Sequence, residues 1–185
     1  GFEAQIAAAR ARGHEILVHV PMQPIGAEDA GPGALTIALD RGEIRRRLAA
    51  ALDRAGPAVG INNHMGSRFT ADRAGMATVF AELSRRGLLF LDSRTTAETR
   101  APELAPRYRL PLAARDVFLD HTMTPAAVAA ALAKTEETAR RNGLAIAIGH
   151  PHDVTVAALE RWLPTLAEKG FALVPLSAAV QQPGL

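Results

Sequence analysis

Residues 41–67 read RGEIRRRLAAALDRAGPAVGINNHMGS. The first fifteen are amphipathic at helical spacing, Gly56-Pro57 breaks the pattern, and the apolar run 58–61 opens into Asn62-Asn63-His64-Met65-Gly66-Ser67. A helix that stops on glycine and feeds a short buried strand is half of a βα repeat. The pattern recurs on both sides. Apolar runs at 16–20, 88–91, 117–119, 145–148 and 171–174 alternate with amphipathic segments at 71–86, 125–142 and 154–169, and Gly87, Gly143 and Gly170 close those segments. Such alternation predicts an α/β fold, a parallel sheet or barrel with helices outside. Thr124-Pro125 reads as an N-cap with proline at the first helical position, and Thr70 as the cap of the helix over 71–86.

The chain has 185 residues, 48% of them hydrophobic and 22% charged, enough for one domain with a substantial core, which we read as spanning 1–185. Disorder is excluded, and no apolar run reaches the ~20 residues of a membrane-spanning helix. There is no cysteine, so disulfides, thiolate metal sites and cysteine nucleophiles are excluded, and metal chemistry would use His and carboxylates. The isoelectric point near 9.6 suggests a nucleic-acid binder, yet 21 basic against 19 acidic residues leave only +2. With Lys134 and Lys169 as its lysines and a single tyrosine, the chain has few groups to lose a proton above neutrality, so the small surplus persists to high pH. Arg45-Arg46-Arg47 and Arg140-Arg141 fall in helical patterns without interleaved aromatics and read as solvated helix faces; nucleic-acid binding is not expected.

The N-terminal residues 1–12 are helical in pattern and run straight into Gly13 and the first visible strand. A helix that feeds a buried parallel strand is expected to follow another strand, so the chain reads as truncated at its N-terminus, lacking that first strand.

Polar residues concentrate where the strands end. Those ends carry His19 to Gln23, Asn62 to Ser67, Asp92-Ser93-Arg94-Thr95, Asp120-His121 and Gly149-His150-Pro151-His152. In a parallel barrel the C-terminal strand ends converge on one mouth, so distant residues can share a pocket. Imidazoles and carboxylates gathered there could bind a divalent cation, and zinc suits that donor set. His64 and His150 stand out as functional because histidines repeat on successive strand ends, and His19 is a third candidate. His14 fits a turn, while His121 and His152 fit surface or supporting roles. Asp92 could orient a histidine, act as a base or pair with Arg94. Asn62, Asn63 and Ser67 could bind sugar hydroxyls or cap loops. Motifs for serine hydrolases, P-loop enzymes, dinucleotide oxidoreductases and His-Glu-x-x-His proteases are missing.

Five motifs, in order, resemble the divergent polysaccharide deacetylases, the YibQ-type group related to NodB-type carbohydrate esterases. They are Gly13-His14-Glu15 through His19-Val20-Pro21-Met22, Asn62 through Thr70, Phe90 through Thr96, Arg115 through Asp120, and Ala147-Ile148-Gly149-His150-Pro151. The resemblance implies a distorted, NodB-like (β/α) barrel of about seven strands, a divalent metal at its mouth, and deacetylation of amino sugars as the ancestral chemistry. It further implies a first strand ending in an Asp-Asp pair, one carboxylate for the metal and one as general base, upstream of this chain's start.

The position of the family's second histidine in the metal motif is Gln23 here, so His64 on the next strand is the expected replacement. The expected metal ligands are accordingly His19, His64 and His150, with zinc the expected ion. His150, in the last motif, is also expected to protonate the leaving amine, and Asp92 to orient a histidine or serve as base. Gln23, Asn62, Asn63, Ser67 and Arg94 are expected to line a carbohydrate site. The resemblance places the protein in the bacterial periplasm or envelope. A rival reading is a non-catalytic barrel that binds glycan or an envelope partner; a metal-independent sugar or phosphate enzyme is a third.

Overall fold

The computed structural model describes residues 1–180, which divide into two compact units: Gly1–Ala113 with the segment that begins at Pro175, and Ala114–Val174. In the first, α1 (Phe2–Ala11) leads to β1 (Leu17–Met22), followed by α2 (Arg41–Ala55), β2 (Gly60–Met65), α3 (Arg73–Arg86), β3 (Leu89–Asp92), α4 (Ala101–Leu104) and β4 (Leu112–Ala114). The sheet order is β1-β2-β3-β4, with β1 parallel to β2 and β2 parallel to β3. Alternate strand residues point to opposite faces, which decides what each face carries. Val20, Met22, Ile61 and Phe90 join Ile44, Leu48 and Leu52 of α2 and Met76, Val79, Phe80 and Leu83 of α3 in one core. Gly60 allows the close approach of β2 to β3, because a Cβ there would lie 2.3 Å from the Leu89 carbonyl oxygen.

In the second unit, β5 (Val117–Phe118) and β6 (Ala147–Ile148) pair in parallel, separated in sequence by α5 (Pro125–Asn142), and α6 (Asp153–Trp162) follows. Val117, Leu119, Val128, Leu132 and Ala158 form its core, flanked by Val154, Leu159 and Trp162. Helix α7 (Leu176–Ala179) belongs to the first unit, where Ser177 donates to Glu15.

The fold is α/β with parallel strand pairing and intervening helices, as the sequence pattern requires. Among the described residues the strands form sheets of four and two, against the seven or so expected. The run 171–174 is not a strand. The Phe171 amide closes the preceding turn onto the Leu166 carbonyl, its ring lies under the Arg140 guanidinium at 4.5 Å, and Leu173 and Val174 are exposed. Strand β4 escaped the sequence reading because Leu112-Ala-Ala lacks β-branched and aromatic residues and follows a proline; its place is set by β3, whose Phe90 amide donates to the Pro111 carbonyl. The cap of α3 is Asp72, whose carboxylate accepts from the Gly75 amide at 2.6 Å. Thr70 instead donates to the Gly66 carbonyl, tightening the loop before the helix. Thr124 caps α5 as expected, accepting from the Ala127 amide.

Candidate functional site

His19 of β1 is in register with Asn62 of β2, and His64 lies two residues further along β2. The three therefore share the face opposite the helix-covered core. His19 Nδ1 is 2.6 Å from Asn62 Oδ1, and His19 Nε2 is 3.1 Å from His64 Nδ1. The Asn62 amide nitrogen donates to Ser93 Oγ at 2.8 Å. Asn63 points the other way and is 1% exposed: its Oδ1 accepts from the Ser93 amide and its Nδ2 donates to the Met65 carbonyl.

Loops beyond the strands are tied by similar bonds. Both Asp92 oxygens are engaged, one by the Arg94 amide at 2.7 Å and the other by the Thr99 hydroxyl at 2.8 Å, and the residue is buried. This short-range bonding holds the turn after β3, where Arg94 adopts a positive φ of 50°. Gln23 Oε1 accepts from the Ile37 amide, and Ser67 Oγ accepts from the Ile25 amide, so both side chains anchor the loop after β1.

In the second unit, Asp120 follows β5 and is 5% exposed. One of its oxygens accepts from the His150 backbone amide and from Thr155 Oγ1, and the other lies 3.1 Å from His150 Nδ1. Burial pushes the Asp120 carboxyl up, yet the bonds from the His150 amide, the His150 ring and Thr155, with the ring's charge, outweigh it and hold the group below its usual range. Gly149 makes the approach feasible, since a Cβ there would stand 3.2 Å from Leu119 and 3.3 Å from the Asp120 carboxylate. The His150 ring is exposed, packs edge-on to Phe118 with centroids 5.5 Å apart, and lies 5.6 Å from the His152 ring.

These groups offer two kinds of donor set. A divalent cation takes the lone pair of a neutral imidazole whose other nitrogen donates to a carbonyl or carboxylate. The His19–His64 pair fits on that ground, because the amide oxygen of Asn62 lies against His19 Nδ1 and leaves His19 Nε2 facing His64. Asp120, His150 and His152 offer one ligand atom each, all within 4.8 Å of one another, and form a possible metal-binding triad.

Residues 2–180 match the family described as divergent polysaccharide deacetylase. The chain belongs to that family. It is 37% identical over 171 residues to the uncharacterized protein YibQ of Escherichia coli strain K12, covering 92% of this chain and 53% of the relative. An uncharacterized protein of Haemophilus influenzae is 36% identical over 160 residues, covering 86% of this chain and 57% of that one. The chain thus spans about half the length of these curated relatives. The crystal structure of uncharacterized protein ATU2773 from Agrobacterium tumefaciens C58 superposes with a TM-score of 0.90 at 31% identity, over 95% of this chain and 72% of that chain. Among the described residues, no helix is long and apolar enough to cross a membrane.

Of the residues singled out from sequence, the structure brings His19, His64 and Asn62 together in the first unit, and His150 stands in the second. Asn63 and Asp92 are committed to bonds inside the protein, while Arg94 is exposed. The sequence reading missed Asp120, Ser93 and Thr155 as partners of site histidines and amides. Gly149, just before His150, leaves room for the Asp120 contact, but which strand end it meets is set through space and carries no signal in the sequence.

Proposed function

We propose that the protein is a divalent-cation-dependent deacetylase-type hydrolase of N- or O-acetylated polysaccharide. Family membership supports a carbohydrate substrate, and the observation that carries the reading is the Asp120–His150 pair: a buried carboxylate fixes an exposed imidazole through Nδ1. That arrangement leaves His150 Nε2 as the atom that delivers a proton to the leaving amine or alcohol, with Asp120 fixing the ring and supporting its positive charge during transfer.

In the first unit, His19 and His64 supply two nitrogen ligands, for which zinc is suited. A divalent cation in such a donor set would supply Lewis acidity and lower the pKa of a bound water. Asn62 keeps the His19 ring in place, and exposed Arg94, with Gln23 and Ser67 in the loops beside the strand ends, provides polar groups for sugar hydroxyls. Asn63 and Asp92 support this surface from beneath by holding the β2 and β3 loops.

A second reading has its own observation: Asp120, His150 and His152 hold the cation instead, as their ligand-atom spacing allows. Acetate release from acetylated oligosaccharides, with and without added zinc, tests the function. Zinc-stimulated release that His150→Ala reduces by ~10²–10⁴-fold is expected; no release by the wild-type chain with any divalent metal would contradict the enzyme reading and favour a binding module. Zinc content that survives His64→Ala but not His152→Ala would favour the second reading.

A further inference from the structure

The hydrogen bonds behind His19 run in one direction only, and the direction is set at a backbone carbonyl. Ser93 Oγ donates its single proton to the Asn63 carbonyl oxygen at 2.8 Å, an atom that can only accept. The hydroxyl therefore receives from Asn62, and only the amide nitrogen of Asn62 can give, which it does at 2.8 Å. The amide oxygen is left facing His19, and at 2.6 Å it requires a proton on Nδ1. A neutral imidazole carries one N–H, so the lone pair falls on Nε2, the atom 3.1 Å from His64 Nδ1.

We propose that Ser93 and Asn62 are positioning residues that fix the tautomer of His19, presenting its Nε2 lone pair beside His64. Ser93 is suited to start the relay because a second bond, from its own amide to Asn63 Oδ1 at 2.8 Å, locks it onto β2. Asn63 in turn is held by its bond to the Met65 carbonyl. The two adjacent asparagines thus divide the work: Asn63 fixes Ser93 from the core side, and Asn62 carries the hydrogen-bond direction to the opposite face. The consequence for cation binding rests on the deacetylase reading above, while the tautomer itself does not.

Long-range ¹⁵N–¹H correlation NMR on the metal-free 185-residue chain, at a pH where imidazoles are neutral, reads the tautomer directly, with His19→Gln assigning the signal. The wild type is expected to show Nδ1–H and an unprotonated Nε2 at His19. Ser93→Ala, which frees the Asn62 amide to turn over, is expected to give a mixed or reversed tautomer, and Ser93→Thr to restore it. Zinc titration of the same proteins is expected to show affinity reduced by ~10–100-fold in Ser93→Ala and recovered in Ser93→Thr. A wild-type His19 protonated on Nε2, or a tautomer unchanged in Ser93→Ala, would overturn the proposal. The expected tautomer in a wild type that binds no zinc would uphold the relay and overturn the cation reading.

Discussion

Two histidines of this protein are oriented from behind, one by an amide and one by a carboxylate. His19 leans on Asn62, a neutral group that fixes the ring without adding charge; His150 leans on Asp120, a buried carboxylate that fixes the ring. The first arrangement suits a lone pair offered to a cation, and the second a proton handed to a leaving group. On the proposed reading, one fold would obtain two chemistries from the same side chain by changing the partner on Nδ1.

The comparison breaks most sharply at His150. His150→Ala is expected to lower acetate release by about 10²–10⁴-fold while leaving zinc content near the wild-type value, measured by kinetics and elemental analysis on one preparation. Asp120→Asn comes next. It replaces an anion that accepts three hydrogen bonds, and a loss of roughly 1–3 kcal/mol is expected in urea denaturation. Because the folded carboxyl is held below its ordinary range, the stability it supplies is complete above that range, near pH 4 for aspartate, and is lost as pH falls through the lowered value. The variant should therefore show a flatter acid limb than the wild type; an identical limb would remove Asp120 from the account.

Asn62→Ala sharpens the other half. Zinc affinity is expected to fall by roughly 10–100-fold with the fold retained, as for loss of any group that orients a ligand histidine. An unchanged titration would mean that His19 needs no orienter. The smallest effect is expected from Gly149→Ala, where the added methyl presses on Leu119 and the Asp120 carboxylate at 3.2–3.3 Å; a cost of about 1 kcal/mol in thermal unfolding, with a reduced response to His150→Ala, fits a strained dyad.

Much of this was legible in the sequence where local chemistry decides structure. Helix α5 begins and ends where Thr124-Pro125 and Gly143 place it, because cap and stop residues act over a few positions. Residues 171–174 defeated the same reasoning: four apolar residues have strand-like composition whether or not a neighbouring strand accepts them, and here the Phe171 ring went to Arg140. At the site, His19, His64 and His150 could be picked out by residue type and position at strand ends. Their partners could not, since Asp120–His150 and Asn62–Ser93 join residues about thirty apart through space. Asn62 and Asn63 look alike in sequence, yet the two-residue alternation that buries Ile61 also buries Asn63 and turns Asn62 toward His19.

The central claim is the division of labour between the two histidine sites, and zinc content of purified wild type, His64→Ala and His150→Ala by elemental analysis tests it most directly. The account expects zinc near one per chain in the wild type and in His150→Ala, and its loss in His64→Ala. Zinc retained in His64→Ala and lost in His150→Ala would contradict it.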